Sequence, residues 1–139
     1  MTDKSNDEAG NLAAIVLDSF AWIEYFAGSR PAGETVAKYI ESGKSMTPTI
    51  VLAELSAKYG SQEKDFTPKL RFISLKSRIV ALDELTAVEA GSINVVRKRK
   101  IARWGMADSI ILATARIHKV KVLTGDEHFR DLGNAIMIK

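Results

Sequence analysis

Apolar and polar positions along this chain alternate between two kinds of stretch. Short continuous apolar runs, such as Ala14-Ile15-Val16-Leu17, are flanked by turn residues, as a parallel strand covered on both faces requires. Longer stretches carry apolar residues at helical spacing. The pattern predicts strands over 14–17, 44–46, 78–82, 121–123 and 135–138. It predicts helices over 20–27, 33–41, 68–76, 84–97 and 107–118, with a further helix reaching to residue 59. Gly28-Ser29-Arg30-Pro31 and Thr47-Pro48 read as breaks, residues 60–67 as a loop, 97–105 as a basic connection and 126–131 as a short helical turn. Thr47 or Thr49 is a candidate cap for the helix reaching residue 59, and Asp83 for the one starting at Glu84.

Strands alternating with helices make an α/β fold with a mainly parallel sheet and right-handed crossovers. Such sheets bind ligands beyond the carboxyl ends of their strands. With 139 residues, nearly half of them apolar, the chain has the size and the core for one domain. Residues 1–11 are polar and of mixed charge, and are expected to be a disordered tail or expression remnant ahead of a domain over 12–139. Cysteine is absent, which excludes disulfides and thiolate metal sites. No run is long enough for a membrane span, and a cytoplasmic location fits.

Four carboxylates stand beside sequence that must be buried. Asp18 closes the first apolar run, and Glu54 lies within Ile50-Val51-Leu52-Ala53-Glu54-Leu55. Asp108 opens Ile110-Ile111-Leu112-Ala113, and Asp126 follows Val122-Leu123-Thr124-Gly125. A buried carboxylate is costly unless something positive holds it, and a hard divalent cation is the natural holder for several together. Each acid also has an ordinary reading. Asp18 and Asp108 suit helix caps, Asp126 a Gly-Asp corner, and Glu54 a rim position paired with Lys58. Asp18 and Asp126 share one rim only if their strands are neighbours. Four acids forced together without metal should raise at least one pKa.

Charge adds a little. The formal net charge is +3; the first eleven residues hold Asp3, Asp7 and Glu8 against Lys4, a net −2 that leaves +5 for the remainder. Mild basicity alone says only that the chain is soluble. Set beside an acidic rim, it suits an anionic substrate approaching a metal-dependent centre. Arg97, Lys98, Arg99, Lys100 and Arg103 form the densest basic cluster, a candidate RNA contact, or else a solvated helix end. Trp104 is better placed in a core than on a base. His118 and His128 lack metal-ligand spacing and read as structural or surface residues. The segment Phe20-Ala21-Trp22-Ile23-Glu24-Tyr25-Phe26-Ala27 is apolar on more than one face, so it is either fully buried or covered by a partner.

The segments Ile15-Val16-Leu17-Asp18-Ser19-Phe20-Ala21, Thr49 to Leu55, Met106 to Ala115 and Val122 to Phe129 together resemble the PIN-domain nucleases, most closely the VapC-type toxins of toxin–antitoxin pairs. The resemblance runs from about residue 12 to the end. It implies a three-layer fold with a five-stranded sheet ordered 3-2-1-4-5. It also implies a metal site built from Asp18, Glu54, Asp108 and Asp126, supported by the hydroxyl of Thr124. Asp18 and Asp108 are the expected holders of the main ion. Glu54 is assigned to orienting or deprotonating the attacking water, and Asp126 to a second ion or a water ligand. The expected cofactor is Mg2+, with Mn2+ as substitute, and the number of ions is left open. The implied function is a metal-dependent endoribonuclease, the toxin of a pair. Its expected partners are RNA, a VapB-like antitoxin and a second copy in a homodimer. Competing readings are a PIN nuclease of RNA processing or decay, a receiver-type signalling domain, and a non-catalytic RNA-binding module.

Overall fold

The computed structural model describes residues 11–138, and all of the expected tail over 1–11 except its last residue lies outside the described residues. In chain order the elements are β1 (Ile15–Leu17), α1 (Ser19–Ala27), α2 (Ala32–Glu41), β2 (Ser45–Pro48) and α3 (Thr49–Ser61). They continue as α4 (Thr67–Lys76), β3 (Arg78–Val80), α5 (Glu84–Lys100), α6 (Met106–Ile117), β4 (Lys121–Thr124) and β5 (Ala135–Met137). A single 3-10 turn, Glu127–Phe129, follows β4. All strand pairs are parallel and the sheet order is β3-β2-β1-β4-β5. A receiver domain orders its strands 2-1-3-4-5, so this topology excludes that reading. Asp83 caps α5 as expected, accepting the Thr86 N–H at 2.8 Å.

β1 is fully buried along its length, as its uninterrupted apolar run requires. It pairs with β4 in the register Leu17↔Leu123, so the residues following both strands emerge side by side. Val16, Leu17, Leu55, Leu112 and Leu123 are fully buried around the sheet. Each such side chain is worth about 1.5–3 kcal/mol of hydrophobic burial. Among the described residues no helix is long and apolar enough to cross a membrane.

Three expectations need correcting. Thr47 and Pro48 do not break β2; they are its last two residues. Their hydroxyl and ring disguise a buried strand. Thr47 Oγ1 accepts from Trp22 Nε1 at 3.0 Å and lies 2.7 Å from Ser77 Oγ, so its polarity is satisfied inside. Pairing with β1 stops at Met46, so Pro48 lies beyond that ladder. Neither Thr47 nor Thr49 caps α3, whose N-cap position is Pro48 with no side-chain bond. The third correction is that α5 continues through Lys100, so most of the basic run is its final turn, where cations complement the helix dipole.

In α1, Ala21 and Trp22 are buried. Tyr25 and Phe26 pack on Phe72 of α4, with ring centroids 5.6 and 6.0 Å away. Thus α4 covers part of the second apolar face. Phe20, Ile23, Tyr25 and Phe26 stay half-exposed.

Candidate active site

The four acids reach one cleft from four elements. Asp18 is the residue after β1 and the N-cap of α1, where its Oδ1 accepts the Ala21 N–H at 2.9 Å. Glu54 projects from the second turn of α3 and accepts from Ser19 Oγ at 3.1 Å. Asp108 sits in the first turn of α6, where Oδ2 reaches back to the Gly105 N–H at 3.0 Å. Asp126 follows β4 and accepts the His128 N–H at 2.9 Å, opening the 3-10 turn. The ordinary cap and corner readings of Asp18, Asp108 and Asp126 are therefore all met, and the same residues line a shared space. A cleft of about 410 Å³ is lined by all four acids together with Ser19, Phe20 and Ile23.

Thr124, fully buried, ties two of these acids together. Its hydroxyl bonds the Asp18 carboxylate, and its Oγ1 accepts the Asp126 N–H at 3.0 Å. Gly125 is required for close approach: a Cβ there would lie 2.1 Å from Cε1 of Phe20.

The electrostatics carry the cost of assembly. Burial pushes Asp18 up to about 7; the bonds from Thr124 and Ala21 oppose this, and the charges of Asp126 and Glu54 add to it. Burial also raises Glu54, against the Ser19 bond, with Asp108 and Asp126 adding repulsion. Asp108 is raised by burial as well, opposed by the Gly105 N–H, with Asp126 adding repulsion and His128 countering it. Among the described residues no lysine or arginine forms an ion pair with Asp18, Glu54 or Asp108. Oxygen donors concentrated without a counter-cation fit a hard divalent ion.

Two further residues join the site. His128 was expected to be a structural or surface residue, yet one ligand atom from each of Asp108, Asp126 and His128 lies within 4.8 Å of the others. Its Nδ1 is 3.5 Å from Asp126 Oδ1. The signal was available in its place two residues beyond Asp126, on the turn that acid caps. Ser19, next to Asp18, anchors Glu54, whereas Lys58, the expected partner of Glu54, is exposed.

The basic cluster divides. Lys98, Arg99, Lys100 and Arg103 are exposed, with Lys100 2.8 Å from Asp131. Arg97 is a correction: only 6% exposed, it faces inward and forks onto Asp131 at 2.8 and 3.0 Å, so it is not an RNA contact. A stripe one helical turn wide cannot present every member of a four-residue run to solvent. Trp104 is fully buried, as expected of a core residue, and His118 Nδ1 lies 2.9 Å from the Thr114 carbonyl, a structural contact.

Comparison with known proteins places this geometry in context. A chain of a toxin–antitoxin complex from Klebsiella pneumoniae shares the fold with a TM-score of 0.74 at 18% identity, over 91% of this chain and 98% of that one. VapBC2 from Rickettsia felis, bound to a DNA fragment from its promoter, gives 0.69 at 17% identity, over 90% and 97%. FitAcB from Neisseria gonorrhoeae gives 0.62 at 23% identity, over 88% and 96%. At such identities the likeness is one of fold. A search of curated proteins finds no match. The sequence itself matches the PIN domain over residues 15–135, a span that holds β1, the four acids and Thr124, and the chain belongs to the PIN domain family.

Proposed function

We propose that this protein is a divalent-metal-dependent endoribonuclease acting as the toxin of a toxin–antitoxin pair. The observation that carries the reading is the convergence of Asp18, Glu54, Asp108 and Asp126 on one cleft, with no lysine or arginine of the described residues paired to the first three. Asp18 and Asp108 would hold the principal ion, Mg2+ or Mn2+, with Asp126 beside them. When bound, the ion makes its water more acidic and neutralises phosphate charge.

The protein's own groups do the remaining work. Thr124 and the Ala21 N–H fix the Asp18 carboxylate in one orientation. Ser19 holds Glu54 Oε1, which leaves Oε2 to orient the attacking water and take its proton. Exposed Lys98, Arg99 and Arg103 supply phosphate contacts that add affinity without reading sequence.

The toxin role is supported by structural neighbours that are toxin–antitoxin complexes. The half-exposed aromatic surface of α1 and α4 suits an antitoxin segment, and a homodimer is part of the same reading. RNA incubated with the purified protein should be cut in Mg2+ or Mn2+ and spared in EDTA. Undiminished cleavage in EDTA would overturn the metal reading. Co-expression with the product of an adjacent small gene should relieve growth arrest, and arrest that no neighbouring product relieves would count against the toxin role.

A further inference from the structure

We propose that Arg97 is a positioning residue that sets the separation of Asp108 and Asp126 by bridging the two segments that carry them. The inference rests on the metal reading above and names a group outside the acid set.

One segment is the turn after β4. Arg97 Nη2 donates to the His128 carbonyl at 2.6 Å, and Nη1 and Nη2 fork onto Asp131. These bonds grip the turn at both ends of 128–131, immediately beyond Asp126. The fork also holds the Asp131 carboxyl well below the usual carboxylate range, with help from Lys100.

The other segment is the start of α6. The guanidinium carbon lies 4.5 Å from the ring centroid of Trp104. Trp104 Nε1 donates to Ser109 Oγ at 2.7 Å, and Ser109 Oγ donates to Asn94 Oδ1 at 3.0 Å. Asp108 lies between Trp104 and Ser109, so its backbone is fixed by this network. Trp104 also packs on Phe129 at 4.9 Å, closing the ring of contacts. Arg97 Nε is buried and has no hydrogen-bond partner among the described residues, so the guanidinium is oriented by its other contacts.

Asp108 and Asp126 repel each other, as the upward push of Asp126 on Asp108 records. Without a fixed brace the turn has reason to swing outward. An arginine fork is directional, whereas a lysine is a point charge.

Arg97→Met, Arg97→Lys and Asp131→Asn are compared with Lys64→Met, at an exposed lysine remote from the cleft, as a surface control, at 10 °C after circular dichroism shows each folded. Calorimetric titration with Mn2+ alone should show affinity weakened at least about tenfold in Arg97→Met and Asp131→Asn, the scale typical of lost outer-shell support. Arg97→Lys should recover part of it, and Lys64→Met should match wild type. In the metal-free proteins, the His128 and Phe129 amides should exchange faster in Arg97→Met. With RNA, kcat at low Mn2+ should fall and return at high Mn2+, while KM stays within twofold. If Arg97→Met does not fold, Asp131→Asn carries the test. Mn2+ affinity within twofold of wild type in folded Arg97→Met or Asp131→Asn overturns the inference alone. Wild type that binds no Mn2+ overturns the metal reading and the inference together.

Discussion

Asp18→Asn should stabilise the metal-free fold at neutral and alkaline pH while abolishing its activity. Asp18 is 4% exposed and its carboxyl is pushed up to about 7 from an ordinary 3.8, chiefly by burial. Between those values the folded protein binds more protons at this position than the unfolded chain. Stability therefore falls as pH rises from about 4 to about 7, and stays at the lower level above that. At ~1.4 kcal/mol per pH unit, the gap sets a ceiling of about 4 kcal/mol. Asparagine removes the charge and keeps an acceptor for the Ala21 N–H. It pairs less well with the Thr124 hydroxyl, a loss of about 1 kcal/mol. The expected net gain is about 2–3 kcal/mol at pH 8, shrinking toward zero near pH 4. Urea unfolding in EDTA at pH 4.5, 6 and 8 measures it directly. A variant no more stable than wild type at pH 8, or a gap that does not narrow in acid, would refute the reasoning. Added Mn2+ should reverse the order, because a ligand that binds only the folded wild type stabilises it by mass action.

Other outcomes follow from the same geometry. Gly125→Ala forces the Phe20 ring aside and should cost about 1–3 kcal/mol in urea unfolding, with Phe20→Leu recovering part; a neutral Gly125→Ala would show that the ring is not confined. Replacing Lys98, Arg99 and Arg103 together by Gln should weaken RNA binding uniformly across sequences. It should also flatten the salt dependence of log affinity by up to about 2, and an unchanged salt slope would remove these residues from the interface.

The hydrophobic pattern carried the elements well wherever burial and polarity agree. β1 is wholly apolar because it is covered on both faces, and its limits were legible to within a residue. β2 was cut short because Thr47 and Pro48 look like turn residues; only the Trp22–Thr47–Ser77 bonds show why a hydroxyl belongs there. The four acids were legible as anomalies, and the neighbouring of β1 and β4 turned two of them into rim partners. His128 and Ser19 escaped notice because their roles depend on which acid they face across the cleft.

Sequence by itself determined the α/β alternation, the single core, the absence of thiol chemistry and the identity of the four acids, since these depend on local period and residue type. Tertiary structure alone decided which charges are solvated and which are internal. Arg97 and Lys98 are adjacent in a basic run, yet one braces the interior and the other faces water. A helix turns by about 100° per residue. The partners that Arg97 meets, Asp131 and the His128 carbonyl, lie more than thirty positions away, brought to it only by the packing of α5 against the turn after β4.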